Sequence, residues 1–159
     1  MVVRFAIALL LGAILGIERE LVRKEAGVRT LMLVSGGAAL FTIAALALPY
    51  IVSADTGNLA DVVARNSGFL MMIANVVIGV GFLGAGMIVK TKDHPHGLTT
   101  AALVWAAAAV GIIAGVGLYE FALTGTILLA LLLYVLRKMN VSESIEEVTA
   151  VVVKKPSKK

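Results

Sequence analysis

Apolar residues come in five runs, at roughly 3–22, 28–52, 67–90, 98–118 and 121–138, separated by short polar connections. Each run approaches the about 20 residues that an α-helix needs to cross a hydrocarbon core about 30 Å thick. None alternates with a two-residue period, and Pro49 is the only proline within them. Lipid-embedded backbone must satisfy its hydrogen bonds internally, so runs of this kind predict helices rather than a barrel. The expected fold is all-α, a polytopic bundle of about five transmembrane helices. The fourth and fifth runs are divided only by Gly115, Gly117, Tyr119 and Glu120, which implies a very tight turn.

The composition agrees. Of 159 residues, 60% are hydrophobic and 15% are charged, against roughly 45–50% apolar content in soluble domains. With no cysteine, disulfides, thiolate metal sites and cysteine catalysis are excluded. The formal charge of +4 does not point to nucleic acid, because the basic residues sit between the apolar runs and lack interleaved aromatics. They follow membrane topology instead. Arg19, Arg23, Lys24 and Arg29 follow the first run, Lys90 and Lys92 the third, and Arg137, Lys138 and four later lysines the fifth. The other connections hold Asp55, Asp61 and Arg65, or Glu120. The positive-inside rule then places the N-terminus outside and the C-terminus in the cytoplasm, with Arg4 in mild disagreement. The stretch Phe5 to Ile17 has no small-residue cleavage pattern after it and reads as a retained first span.

The charged chemistry concentrates at one end of the first run. Only about 13 apolar residues precede Glu18-Arg19-Glu20, short of a full span, so a charge sits deep if the helix runs on to Lys24. Either Glu18 is functional, or this is an ordinary helix end with Glu20 and Lys24 paired at i, i+4 and Arg19 snorkelling to the phosphates. The second helix opens at Gly27-Val28-Arg29-Thr30 and the fourth at Gly97-Leu98-Thr99-Thr100, whose N-termini favour an anion. A buried Glu18/Arg29 ion pair bridging the first two helices is therefore expected, with Thr99 and Thr100 adding hydrogen bonds.

Glycine placement carries a second signal. The spacings Gly12/Gly16, Gly81/Ala85 and Gly111/Gly115 permit close helix approach, within the bundle or in an oligomer, though glycine is common in membrane helices generally. In the third helix Gly68, Asn75, Gly79, Phe82 and Gly86 recur at three-, four- and seven-residue spacings, predicting a small face with a buried amide that abuts another helix. Asn75 then serves as interhelical glue or as the polar lining of a pathway. Trp105, several residues inside the fourth helix, reads as a packing residue. His94 and His96 flank Pro95 beside Asp93, a weak ligand set better explained as a polar turn. The residues from Met139 hold at most one unpaired strand and end in lysines suited to anionic headgroups.

Four segments, Gly16-Ile17-Glu18-Arg19-Glu20, Ala26-Gly27-Val28-Arg29-Thr30, Gly79-Val80-Gly81-Phe82-Leu83-Gly84-Ala85-Gly86 and Gly97-Leu98-Thr99-Thr100-Ala101-Ala102, together resemble the MgtC/SapB membrane proteins in order and spacing, over about residues 5–136. The resemblance implies a multi-pass protein of the cell inner membrane with about five helices, linked to magnesium limitation and, in pathogens, to survival inside macrophages. It also implies regulation of the F-type ATP synthase. It assigns the family's motif positions to Glu18, Arg19, Glu20, Gly27, Arg29, Thr30, Gly81, Gly84, Gly86, Gly97, Thr99 and Thr100. Two departures stand out. Met71 and Asn75 occupy positions where many members have arginine and glutamine, and residues 139–159 form a basic tail shorter than the soluble domain many members carry after a membrane domain such as 1–138.

With no persuasive nucleophile, metal cluster or nucleotide motif, the expected function is non-enzymatic and cofactor-free. The leading expectation is a regulator that touches membrane-protein partners, such as ATP synthase, through helix contacts in the bilayer, with a homo-oligomer, such as a dimer, as a further possibility. The alternative is a small oligomeric ion transporter or channel with Glu18, Arg29 and Asn75 lining a polar path.

Overall fold

The computed structural model describes residues 1–56, 68–90 and 95–138. Among them are five helices: α1 (Val2–Leu21), α2 (Val28–Thr56), α3 (Gly68–Met87), α4 (Leu98–Val116) and α5 (Tyr119–Lys138). A two-residue antiparallel pair, β1 (Val89–Lys90) with β2 (Pro95–His96), joins α3 to α4 in the register Val89 opposite His96. All five helices fall on the five apolar runs. Three of them, α2, α4 and α5, are long and apolar enough to cross a membrane, whereas α3 offers the shorter apolar stretch Met71–Met87. The charges Arg4, Glu18, Arg19 and Glu20 within α1 reduce its apolar length in the same way. Asp61, Arg65, Lys92, Asp93, His94 and the tail from 139 lie outside the described residues.

α1, α2 and α4 pack mutually as a central trio; α3 lies against α2 and α4, and α5 against α1 and α4. Small residues set this arrangement. A Cβ at Gly12 would fall 2.5 Å from the Leu31 carbonyl oxygen and 2.9 Å from Ser35 Cβ, and one at Gly16 would strike the Val28 backbone. A Cβ at Gly111 would strike the Ser35 carbonyl, and one at Gly115 would lie 2.9 Å from Thr42 Cβ and 3.0 Å from the Ala39 carbonyl oxygen. Two of the three small-residue spacings are thus consumed inside the chain, bringing α1 and α4 onto adjoining stretches of α2 that meet at Ser35. Apolar lipid gives no hydrophobic drive for helix association, so this close backbone contact supplies much of the attraction. The third, Gly81/Ala85, faces open space: Gly81 has nothing within 4 Å of its Cβ position, and Ala85 is exposed.

The core is filled by Ala8, Leu11 and Leu15 of α1, Leu31 and Ala38 of α2, and Leu103, Val104, Ala107 and Val110 of α4. Three of its buried hydroxyls are bonded to backbone carbonyls. Ser35 Oγ donates to the Ala8 carbonyl at 2.8 Å, tying α2 to α1, while Thr42 and Thr126 donate back to the Ala38 and Ala122 carbonyls of their own helices at 2.8 and 2.7 Å. A hydroxyl bonded in this way carries no unmet hydrogen-bonding demand into the hydrocarbon. α5 is peripheral, with Ala122 and Thr126 as its buried residues.

At the end opposite Glu18, α4 stops at Gly117, whose φ of +102° permits the left-handed turn into α5. The N–H groups of Gly117 and Leu118 return to the Ala114 and Ile113 carbonyls at 3.0 and 3.1 Å. Arg4 packs over this turn and donates from Nη1 to the Gly115 carbonyl at 3.1 Å. The arginine that fits the charge pattern poorly therefore has a packing role. It is a cation on the negative end of α4.

Candidate functional site

The end of α1 and the starts of α2 and α4 meet at one end of the bundle. α1 finishes with Arg23 at φ +53°, and the N–H groups of Arg23 and Lys24 return to the Glu20 and Arg19 carbonyls. That reversal takes Lys24 off the helical surface, and the i, i+4 Glu20/Lys24 pair of the ordinary-helix-end alternative does not form. Glu20 Oε2 instead accepts a hydrogen bond from the Val28 backbone N–H at 2.8 Å. Gly27 leaves room for it, since a Cβ there would lie 2.6 Å from the same oxygen. The first turn of α2 has no Ser, Thr, Asp or Asn at its entrance, and a carboxylate from eight residues upstream takes the capping role.

Glu18 does not reach Arg29. Its Oε2 lies 2.9 Å from Arg19 Nε, and Arg29 is exposed. The expected bridge between α1 and α2 is replaced by a pair within α1. Arg19 does not snorkel either: it is 7% exposed, at the lower end of the core stripe Ala8, Leu11, Leu15. Successive residues of a helix point about 100° apart, which prevents the guanidinium N–H from aiming at its neighbour. Accordingly Glu18 Oε2 and Arg19 Nε are both buried and neither makes a hydrogen bond, although their charges are in contact.

Thr30 sits half-buried in the first turn of α2, Thr99 is exposed and Thr100 is buried. The N-cap of α4 is Gly97, at φ +85° and without a side-chain cap bond, so the threonines do not supply the hydrogen bonds expected of them at the Glu18 pair. A Cβ at Gly97 would strike the Met87 carbonyl and lie 3.5 Å from Glu25 Oε2. Gly97 thus closes the α3–α4 connection, with the carboxylate of Glu25 beside the α4 N-terminus. The two N-termini at this end face carboxylates of the chain itself, Glu20 and Glu25, rather than Glu18. Among the described residues no group of three His, Cys, Asp or Glu side chains is placed to hold a metal ion.

The third helix is rotated relative to the sequence expectation. Val76, Val80, Gly84 and Met87 form the packed face, with Gly84 opposite Ala101 of α4 at ordinary contact distance. Asn75, Gly79, Phe82 and Gly86 are exposed. Gly84 and Met87 are turned toward the rest of the bundle, and glycine spacing alone does not say which side faces inward. Trp105 is likewise 51% exposed, pointing outward from α4 rather than packing inside. Between α2 and α3 runs an open apolar groove of about 620 Å³, lined by Val34, Gly37 and Phe41 on one side and Met72, Asn75 and Gly79 on the other. Gly81 and Gly86 face open space. The motif residues therefore separate into the charged end (Glu18, Arg19, Glu20, Gly27, Gly97), the exposed α3 surface (Asn75, Gly81, Gly86) and, for Gly84, the α3–α4 contact. Arg29 joins neither cluster through a contact.

The MgtC family model matches residues 5–142. The chain belongs to the MgtC family. It is 37% identical over 147 residues to the Escherichia coli protein named "Putative magnesium transporter YhiD", covering 88% of this chain and 64% of that one. It is 37% identical over 123 residues to "Protein MgtC" of Salmonella typhimurium, covering 77% and 46%, and 35% identical over 127 residues to an uncharacterized Haemophilus influenzae protein, covering 79% and 51%. The chain thus spans about half to two thirds of the length of these relatives. No solved structure matches it. Family membership and the three apolar helices make this a membrane protein.

One signal for the Glu20 cap was present in the sequence: a helix beginning Gly27-Val28 without a local capping side chain needs an acceptor from elsewhere. For the exposure of Asn75 there was none.

Proposed function

We propose that this MgtC family member is a non-enzymatic, multi-pass protein of the inner membrane that acts in magnesium homeostasis and membrane energetics by lateral contact with other membrane helices. Magnesium enters this reading through the name carried by the Escherichia coli relative and through the family resemblance; regulation of ATP synthase enters through the resemblance alone. The observation that carries it is the disposition of polar groups. Ser35, Thr42 and Thr126 are satisfied by backbone carbonyls and Glu18 is in contact with Arg19, whereas Asn75 faces outward over an apolar groove. This favours a working surface on the side of the bundle over a conduit through it. The charged end is assigned to the cytoplasm, in keeping with the positive-inside rule.

The second reading, an oligomeric transporter, is favoured by the relative's name. It requires several chains, because Arg29 is exposed at one end, Glu18 lies inside and Asn75 faces outward, so the three do not line one path in a single chain. Purified protein in liposomes loaded with magnesium- and proton-sensitive dyes separates the two. The regulator reading expects no flux from wild type or Glu18→Gln. Flux in wild type that Glu18→Gln abolishes would overturn it in favour of transport.

A further inference from the structure

Asn75 is two to three residues from the centre of α3, within about 4 Å of its midpoint along the axis. If α3 crosses the bilayer, that is deep in the hydrocarbon, where neither water nor lipid tails can bond an amide. Its side chain has no partner among the described residues. An amide left unpaired in such a medium is unfavourable, so its exposure signals a contact made outside the single chain. Beside it, Gly37 of α2 and Gly79 of α3 line the groove, and a Cβ at either would meet no atom within 4 Å. Two turns along, Phe82 projects at 83% exposure.

The geometry points to a second copy of this chain as the occupant of the groove, docked about a two-fold axis so that the two Asn75 amides bond each other and each Phe82 enters the other copy's groove. Self-complementarity argues for a copy over an unrelated helix. A two-fold interface brings the same patch to itself and must therefore carry both members of every contact. An amide is donor and acceptor at once, and the knob, Phe82, stands beside its own hole. Lipid fills the apolar volume but leaves the amide unpaired. Among the described residues, α5 packs on the α1/α4 side, away from the groove. This inference rests on the reading of the α2/α3 side as the working surface and names its partner.

Native membranes test it directly, because the chain has no cysteine of its own. Gly86→Cys, on the same rim as Asn75, is expected to give an oxidative cross-link between two copies, while Leu128→Cys on the exposed face of α5 is expected to give none. In the Gly86→Cys background, Asn75→Leu is expected to lower the cross-linked fraction about three- to twenty-fold, the range that membrane hydrogen bonds span, and Asn75→Gln to retain most of it. Gly79→Leu, which fills the groove, is expected to abolish it. Both substituted positions are exposed, and unchanged detergent stability separates lost docking from lost folding. A cross-link of Gly86→Cys to a different protein would overturn the second copy while sparing the lateral-contact reading. Free reaction of Gly86→Cys with a membrane-permeant maleimide and no cross-link to any protein would overturn both.

Discussion

The contact between α2 and α4 offers the sharpest test of how this bundle holds together. In Gly111→Ala the new methyl would meet the Ser35 carbonyl oxygen and come within 2.8 Å of the Ser35 carbonyl carbon and 2.9 Å of its Cα. These are backbone atoms and cannot rotate aside. Restoring an ordinary carbon separation of about 3.5 Å or more means parting the helices by about 1 Å, enough to forfeit a quarter to a half of the dispersion well at neighbouring contacts. The shift would also strain the Ser35 Oγ bond to Ala8, which ties α2 to α1. Overpacking of this sort costs about 1–3 kcal/mol. Replacing glycine in a helix also gains up to about 1 kcal/mol in propensity, and that gain must be removed from the comparison. Gly125→Ala does so: it too is inside a helix, with nothing within 4 Å of its Cβ position. The measurement is reversible unfolding in mixed micelles titrated with a denaturing detergent. We expect Gly125→Ala to match or exceed wild type and Gly111→Ala to fall below it, the gap between the two variants being about 1–3 kcal/mol. A gap under about 0.5 kcal/mol would refute the argument that backbone proximity at Gly111 holds α4 on α2.

Double-mutant cycles at the charged end should find Glu18 coupled to Arg19 by about 1–3 kcal/mol and independent of Arg29 to within about 0.5 kcal/mol, with the single neutralisations the most damaging because each leaves a buried charge alone. Coupling to Arg29 instead would restore the inter-helix bridge. Glu20→Ala is expected to lose about 1 kcal/mol of stability through the Val28 cap and Glu20→Gln about half of that, read by the same titration. Equal losses would show that the acceptor oxygen is unimportant. Arg4→Ala should destabilise by about 0.5–1.5 kcal/mol through the Gly115 carbonyl, and Gly117→Ala by more, since it combines a positive φ with contact at 3.2 Å from the Arg4 guanidinium; hydrogen exchange at the α4–α5 turn would report both.

The five helices of the described residues and their ends were legible in the chain because both are local. An apolar run near the length of a membrane span has few alternatives to a helix, and Gly117 marks the end of α4 wherever the helix packs. The candidate charged residues were legible too, since a carboxylate only about 13 apolar residues from the start of a span must be accommodated somewhere. Their partners were not. Whether Glu18 meets Arg19 or Arg29 depends on how α1 is rotated against α2, and that rotation is set by Gly12 and Gly16 seating on Leu31 and Val28, a contact between helices that neither sequence segment encodes alone. In the same way Glu20 becomes a cap only after the Arg23 turn has folded the chain back on itself.

The spacing of Asn75, Gly79, Phe82 and Gly86 on one face followed from the helical period by itself. Which way that face looks was decided by the tertiary structure. A repeat of 3.6 residues tells which side chains travel together but is indifferent to rotation of the whole helix about its axis. The rotation is chosen by competing contacts, and in α3 the contacts of Val76, Val80, Gly84 and Met87 with the rest of the bundle win, leaving the amide and the open glycines outside.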